Sequence, residues 1–288
     1  YLEGIRKETV NGFLHPSFNL HTVRTYRSSS SNPNFTNIPI RNPEIAKVIR
    51  RCFIPRPGRV LIESDYAGIE VRVNACYNKD PVLIKYIKDT STDMHRDVAS
   101  ECYLLDKSEV SKQVRYCGKN MFTFPEFYGS YYIDCAVNLW KAIDHMKLTR
   151  PGEQKFDEEG NPYIEQISLK KHLRSKGIKT LGACNPKQRP VPGTFEHHIQ
   201  EVERVFWKER FPVYAQWKEN WYNAYLKEGG FTTLTGFREE GYYKKNDVIN
   251  HPAQGSAFHC LLWSLIQLLK DIRKYKLKSL VAGEIHDS

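Results

Sequence analysis

The sequence lacks any apolar run long enough to cross a membrane, and we expect no signal peptide and no membrane partner. None of its seven cysteines forms a C-x-x-C pair, and 33 acidic residues are outnumbered by 43 lysines and arginines. An odd number of unpaired cysteines is typical of reduced thiols, so we expect a cytoplasmic protein. The net charge of +10 favours a polyanionic partner, although solvated lysines alone would also produce it.

Two aspartates are predicted at the ends of short strands. Residues 59–62 are short and β-branched and follow a cluster of breakers at 55–58, which predicts a strand ending at Asp65. A second apolar run, residues 280–285, leads into Asp287. Two strand-end carboxylates can hold two divalent cations together with substrate phosphates, and Mg²⁺ suits such oxygen ligands. The alternative for Asp65 is that it caps the following helix.

Five segments carry a resemblance to a known family. Residues 62–72 (IESDYAGIEVR) resemble motif A of the family A, bacterial polymerase I-like, DNA polymerases, and residues 284–288 (EIHDS) resemble motif C. Residues 115–129 resemble motif B, and their sequence is similar to that of phage members of the family. Residues 25–39 and 249–257 resemble two further motifs of this family. The resemblance implies an α+β fold in which a mainly helical fingers subdomain is inserted into a polymerase palm sheet.

The resemblance also predicts how the chain is divided. We expect palm at residues 1–78, fingers at 79–228 and the rest of the palm, ending in motif C, at 229–288. Residues 147–195 look like an insertion, which is expected to be either a DNA-facing flap or, as we favour, a surface elaboration. A thumb and an exonuclease domain would lie outside this segment, which is therefore expected to bind DNA poorly and polymerise little by itself.

The implied activity is template-directed addition of deoxynucleotides to a primer 3′-hydroxyl with release of pyrophosphate, by a two-metal mechanism using two Mg²⁺ ions. The partners would be primer–template DNA and dNTPs, in a bacterial or phage-infected bacterial cell. The implied metal ligands are the carboxylates of Asp65 and Asp287 and the carbonyl of Tyr66. The residues implied to contact the nucleotide are Arg115, Lys119, Phe124, Tyr128, Glu70 and His95. The residues implied to contact DNA are Arg27, Asn37, Arg41, Arg238, Asn250, Gln254 and His286.

Motif B departs from the family pattern, which spaces its lysine, aromatic residue and tyrosine four apart. Here Lys119 and Tyr128 are one residue too far apart, and Pro125 replaces a glycine. Counting back from Tyr128 selects Phe124 as the aromatic residue beside the nucleotide, whereas counting forward from Lys119 leads to Thr123, with Phe122 next to it. We favour Phe124. Because Pro125 has no N–H to donate, this helix should kink or bulge.

Ordinary structural roles remain open for several of these residues. His95 could be a structural histidine, Arg115 and Lys119 could form a solvated basic helix face, and the motif B phenylalanines could be core. Asn250 and Gln254 could cap a helix.

Three rival functions share features of this sequence: a single-subunit RNA polymerase-like nucleotidyltransferase, a two-metal nuclease and a non-catalytic DNA-binding fragment. Glu70 argues against the first, because its bulk beside the sugar would exclude a 2′-hydroxyl. A two-metal nuclease would have no use for the set formed by Arg115, Lys119 and Tyr128. A non-catalytic DNA-binding fragment would tolerate loss of either aspartate, yet both are present.

The periodicity predicts three further elements. A helix is expected at 43–51, with Ile45, Val48 and Ile49 on its inner face. A hairpin is expected from 231–234 and 241–243. A long helix is expected after Pro252, ending at Tyr275, with a buried apolar stripe from Phe258 to Ile272.

Overall fold

A computed structural model of the chain describes residues 2–39 and 43–285. The fold is mixed and mostly helical, with three small two-stranded antiparallel sheets among the described residues. The chain divides into two units. The first consists of residues 1–77, 230–241 and 251–288, and the second of residues 78–229 and 242–250. None of the described helices is both long and apolar enough to cross a membrane.

The first unit is built from short elements and long connections. Its elements are α1 (Leu2–Lys7), β1 (Ser17–Asn19), β2 (Ser29–Ser31), α2 (Pro43–Arg50), most of α3 (Ile69–Asn78), β5 (Gly230–Thr232) and β6 (Arg238–Glu240). Strand β1 pairs with β2, and β5 with β6. Asn11 and Gly12 form a turn, across which Val10 and Phe13 exchange two backbone hydrogen bonds of 2.9 Å. Ile69, Val73, Ala253 and Ala257 form a buried cluster against Tyr77.

The second unit is mainly helical. Its helices are α4 (Pro81–Lys88), α5 (Met94–Tyr103), α6 (Lys112–Gly118), α7 (Phe124–Phe127), α8 (Tyr132–His145), α9 (Leu169–Ser175), α10 (Phe195–Val205) and α11 (Pro212–Glu228). One hairpin, β3 (Thr149–Phe156) with β4 (Pro162–Ser168), lies between α8 and α9. The last helix, α12 (Lys245–Lys274), begins in this unit and continues in the first.

The two strands predicted before Asp65 and Asp287 are not formed. Residues 59–66 and 277–285 are irregular, and neither segment has a ladder partner in the part of the chain that is described. Val60 and Ile62 are 77% and 86% exposed, so the apolar run that predicted a strand is not buried in a sheet. The two segments are neighbours at one point, because Arg59 Nη1 donates to the Lys278 carbonyl at 2.9 Å. The predicted palm sheet is therefore absent from the described residues.

The buried face of α2 and the position of β6 also differ from the prediction. Helix α2 buries Ala46 and Ile49, whereas Ile45 and Val48 are exposed. Strand β6 lies at Arg238–Glu240, three residues before its predicted position, because the connecting turn is tighter.

Helix α12 begins at Lys245 rather than after Pro252, and that proline lies inside it. Its buried residues lie between Val248 and Leu261, and the predicted stripe is exposed from Ile266 to Leu269. The apolar periodicity predicted this helix but could not show which part of it would be buried.

The contact between α5 and α6 leaves no room for a side chain at Gly118. A Cβ atom placed there would lie 2.7 Å from the Ala99 Cβ and 2.9 Å from the Ala99 Cα. Both are held by the helix backbone and cannot move aside independently. This close approach fixes the end of α6, which lies within motif B and is followed directly by Lys119.

We predict that Gly118→Ala destabilises the protein by about 1–3 kcal/mol, because overpacking a tight helix contact forces backbone shifts. Gly4→Ala is the matched control, since no atom lies within 4 Å of its added Cβ. Urea-induced unfolding of both variants measures the difference. Equal midpoints for Gly118→Ala and the wild type would contradict the prediction.

Candidate active site

The motif B segment is one helix interrupted by a wider turn. Helix α6 begins at the Ser111 cap, whose Oγ accepts from the Val114 N–H at 3.2 Å, and ends at Gly118. Residues Lys119–Thr123 then form a π-helical turn, in which the Phe124 N–H donates to the Lys119 carbonyl five residues earlier. A π turn accommodates one extra residue without ending the helix. The predicted bulge is confirmed, and it accounts for the extra residue between Lys119 and Tyr128.

The π turn separates the two candidate aromatic residues. Phe122 is fully buried and contacts Phe206 edge to face, with ring centroids 5.4 Å apart. Phe124 is only half-buried and stacks on Tyr128, with centroids 5.8 Å apart and an interplanar angle of 9°. Phe124 is thus the aromatic residue that retains an accessible surface. This arrangement supports the choice of Phe124, whose contact with a nucleotide stays a prediction.

Two cations lie with this aromatic pair. Lys119 Nζ is 5.2 Å from the centroid of the Phe124 ring. Arg115 Nε donates to Asp93 Oδ2 at 2.6 Å, and Asp93 also caps α5 by accepting from the Arg96 N–H at 3.1 Å. Although partial burial raises the pKa of Asp93, its hydrogen bond to Arg115 and that cap leave the pKa below its ordinary value. Arg115 is therefore held in place by an ionised carboxylate.

His95 lies against the same ring and is held neutral. Its imidazole contacts Phe124 edge to face at 5.7 Å, and its Nδ1 is buried with no hydrogen-bond partner in the described chain. Burial, followed by the nearby charges of Arg115 and Lys119, lowers the pKa of His95 to about 4. At neutral pH His95 is therefore not a third cation. It can hydrogen-bond to a ligand but cannot attract phosphate by its charge.

Glu126 is a buried acid on α7 that the sequence analysis did not select. Trp207 Nε1 donates to Glu126 Oε2 at 2.7 Å, and Cys135 Sγ lies 3.4 Å from Oε1. Lys218 Nζ is 3.2 Å from the centroid of the Trp207 ring and 3.5 Å from the Glu126 carbonyl. A charged residue between Phe124 and Phe127, in an otherwise apolar run, was the available signal.

Burial shifts the charges around Glu126 toward neutrality. It raises the pKa of Glu126 to about 8, and the neighbouring Glu203 carboxylate adds to the effect. Burial also raises the pKa of Glu203, which is hydrogen-bonded to Glu126 and accepts from the Tyr132 N–H at 2.7 Å. The pKa of Lys218 is lowered to about 8, again chiefly by burial. Glu126 is therefore mostly protonated at neutral pH, since two adjacent buried carboxylates cannot both ionise cheaply.

In the first unit, Asp65 lies in an exposed connection four residues before α3. Its neighbour Tyr66 is also exposed, and the Tyr66 hydroxyl is hydrogen-bonded to the Ser264 hydroxyl. Among residues 2–39 and 43–285, no group of three or more His, Cys, Asp or Glu side chains is arranged to hold a metal ion. Asp287, the predicted second ligand, lies outside the described residues, as do Arg41 and His286.

Glu70 and Arg27 are brought together by the fold. Arg27 Nη1 is 3.6 Å from Glu70 Oε1, and both side chains are partly buried. The following residue, Ser28, donates through its hydroxyl to Glu284 Oε2 at 2.6 Å. The sequence analysis gave these residues separate roles, Glu70 beside the sugar and Arg27 in contact with DNA. The ion pair shows that the two side chains are coupled.

The other residues predicted to contact DNA are separate from this pair. Asn37 is exposed at the end of a short 3₁₀ turn, Phe35–Asn37. Arg238 is exposed on β6, where its Nε donates to Glu240 at 3.0 Å and its carbonyl accepts from the Tyr26 hydroxyl at 2.6 Å. Asn250 and Gln254 lie inside α12 rather than at its start, so neither caps it.

Comparison with known proteins identifies the class of this chain. Residues 1–143 match the sequence profile of "DNA polymerase family A". The chain is 35% identical over 274 residues to DNA polymerase I of Borreliella burgdorferi, covering 95% of this chain and 25% of that protein. It is 24% identical over 296 residues to the DNA polymerase of Bacillus phage SP01, covering 96% of this chain and 26% of that protein.

The fold agrees with these similarities. A solved structure described as "POL domain of Pol1 from M. smegmatis complex with DNA primer-template and dNTP" aligns with a TM-score of 0.68 and 22% identity, covering 99% of this chain and 43% of that one. This chain belongs to DNA polymerase family A and is a segment of its polymerase domain. It is a homologue of DNA polymerase I and spans about a quarter of the length of the curated relatives it matches.

We predict that Glu126→Gln makes stability less dependent on pH. Because the folded pKa of Glu126 is raised from 4.5 to about 8, the folded state binds more protons than the unfolded state between these values. Stability should therefore fall as pH rises through that window, and a glutamine cannot titrate. Thermal unfolding between about pH 5.5 and 7.5 should show a smaller decrease in Tm for the variant than for the wild type.

Glu158→Gln is the control, because Glu158 is exposed in the turn between β3 and β4. It should reproduce the wild-type pH dependence. A Glu126→Gln protein with the same dependence as this control would show that Glu126 titrates normally.

Proposed function

We propose that this chain takes part in template-directed DNA synthesis in the cytoplasm of a bacterial or phage-infected bacterial cell, adding dNTPs to a primer 3′-hydroxyl. Membership of family A supports the reaction class. The observation that carries the proposal is the cluster of the second unit, in which Arg115, Lys119, Phe124 and Tyr128 project from one interrupted helix. A cation pair beside a stacked aromatic pair suits a triphosphate attached to a flat base.

Each member of this cluster has a role in the proposal. Arg115, oriented by Asp93, would bind phosphate through its planar guanidinium, while Lys119 would act as a point charge. Phe124 and Tyr128 would border the base and sugar. His95, neutral at physiological pH, would accept or donate one hydrogen bond near the phosphates without adding charge.

The chemistry of the residues around Asp65 fits a magnesium ligand. Its carboxylate lies in an exposed part of the chain, and carboxylate oxygens with open positions suit Mg²⁺ bound jointly with phosphates. We propose that Asp65, the Tyr66 carbonyl and Asp287 hold two Mg²⁺ ions. When bound, these ions would lower the pKa of the primer hydroxyl and neutralise charge on the triphosphate.

Glu70 supports a deoxynucleotide rather than a ribonucleotide substrate. Its carboxylate is partly buried and lies 3.6 Å from Arg27, and its bulk beside the sugar would exclude a 2′-hydroxyl. The remaining proposed DNA contacts are Asn37, Arg41, Arg238, Asn250, Gln254 and His286, with Arg27 reaching the minor groove. A non-catalytic DNA-binding role is the alternative, and loss of synthesis on removal of Asp65 separates the two.

We predict that Asp65→Ala abolishes primer extension by the polymerase that contains this chain, because one metal ligand is lost. Primer–template binding should change by less than about twofold, since phosphate contacts dominate DNA affinity. Glu158→Ala is the control for removal of an exposed acid and should extend primers normally. Extension by Asp65→Ala at the wild-type rate would refute the two-metal assignment.

We also predict that Phe124→Leu and Phe122→Leu act differently. Loss of a stacking ring at Phe124 should raise KM for dNTP by roughly tenfold with little change in Tm, since base–aromatic stacking contributes about 1–3 kcal/mol. Phe122→Leu should lower Tm, because Phe122 packs on Phe206 in the core. The reverse pattern, with KM raised only by Phe122→Leu, would transfer the nucleotide contact to Phe122.

A further inference from the structure

The segment between β4 and α10 has an unusual charge composition. Residues 166–195 contain no aspartate or glutamate, although acids are distributed through most of the chain. The same segment carries seven basic residues: Lys170, Lys171, Arg174, Lys176, Lys179, Lys187 and Arg189. It lies in the region that looks like an insertion relative to the family, so none of the family motifs explains it.

The first half of this segment is anchored to the second unit and points its charges outward. Helix α9 buries Leu169, His172 and Leu173, and the His172 Nε2 is 2.8 Å from the Leu104 carbonyl. Lys171 and Arg174 are exposed, on the opposite side from these buried residues. Lys176 and Lys179, in the chain that follows, are exposed as well.

The second half is a loop closed at its base. Thr180 and Thr194 form a parallel bridge, and the Phe195 N–H donates to the Thr180 carbonyl at 2.9 Å. The Lys179 N–H donates to the Gly193 carbonyl at 3.3 Å, which brings Lys179 to the base of the loop.

Inside the loop, Asn185 holds a turn by accepting from the Lys187 N–H at 3.0 Å and, through its carbonyl, from the Gln188 N–H at 2.9 Å. This turn presents Lys187 and Arg189, both exposed. The buried Glu196 carboxylate accepts from the Cys184 N–H at 2.9 Å and ties the loop to α10. The charges are therefore carried by an ordered loop.

The term basic surface here denotes the exposed residues Lys171, Arg174, Lys176, Lys179, Lys187 and Arg189. Within the described residues none of the six forms an ion pair, whereas Lys170 pairs with Asp144 and Arg150 with Glu109. Glu165 borders the surface, and its pKa is lowered mainly by its hydrogen bond to Lys155 and also by the charge of Lys171. The Glu165 carboxylate already forms an ion pair with Lys155, whose Nζ lies 2.9 Å away.

We propose that the basic surface binds the phosphate backbone of DNA. This inference rests on the proposed function, which makes DNA the available polyanion, and it assigns a contact that the family motifs do not include. Six exposed cations from a stretch of sequence without acids suit the phosphates of a nucleic-acid backbone better than an acidic protein, which would need complementary apolar contacts. The surface offers no base-reading arrangement among its described residues, so the contact is independent of sequence.

The test compares two triple variants with equal loss of charge in the polymerase that contains this chain. One replaces Lys179, Lys187 and Arg189 by Gln. The control replaces Lys141, Lys208 and Lys227 by Gln, which are exposed lysines of the same unit outside the basic surface. Fluorescence anisotropy then measures the affinity for a labelled primer–template at several salt concentrations, and thermal unfolding checks that both variants are folded.

The basic-surface variant should bind about tenfold more weakly at physiological salt, and the slope of log K against log salt should fall by about 2–3. The control should stay within about twofold of the wild type. Equal slopes for the two variants would overturn the inference. So would a basic-surface variant that binds DNA normally but loses binding to a polyglutamate probe, since that result assigns the surface to an acidic protein.

Primer extension by the same proteins reports on the proposed function separately. A wild-type protein that binds DNA without extending primers contradicts the polymerase proposal but leaves the anisotropy comparison intact. A protein that extends primers but shows equal slopes for both variants contradicts only the assignment of the basic surface.

Discussion

The hydrogen bond from the Phe124 N–H to the Lys119 carbonyl determines the arrangement of the candidate nucleotide site. It spans five residues instead of four, so the helix gains one residue and the residues beyond Thr123 are rotated about its axis. Without this bond, those residues would be displaced by about 100° around the axis, the rotation of one residue. Phe124 then could not stack on Tyr128 while Phe122 faces Phe206. Both the extra residue and the aromatic pair depend on this turn.

A proline explains why the helix adopts the wider turn at this position. In a regular helix the ring of Pro125 would clash with the carbonyl four residues earlier, and its missing N–H would leave that carbonyl unbonded. The same combination occurs a second time in this unit. A π turn at Phe206–Arg210 precedes Phe211-Pro212, as the first π turn precedes Phe124-Pro125. The two π turns pack on each other through the rings of Phe122 and Phe206, and this contact stabilises both turns.

The sequence predicted local features well where the signal was local. The helix expected at 43–51 and the bulge expected at Pro125 are both present, and both depend on residues within one or two turns of the chain. The prediction was wrong where a structure depends on a partner that is distant in the sequence. Residues 59–62 have strand propensity, yet propensity forms no strand without a ladder partner. Of the three residues predicted on the inner face of α2, Ile49 is buried, whereas Ile45 and Val48 are exposed and Ala46 is buried in their place.

The candidate site shows the same division between local and distant information. Motif spacing led to Arg115, Lys119 and Tyr128, but the partners of Arg115 and of Glu126, which lies in the same segment, are remote in sequence. Asp93 is 22 residues from Arg115, and Trp207 is 81 residues from Glu126. A resemblance to motifs can name groups that contact a substrate, because those are shared by the family. It does not lead to Glu126, because Trp207 and Cys135, which contact this carboxylate, are brought to it by the fold.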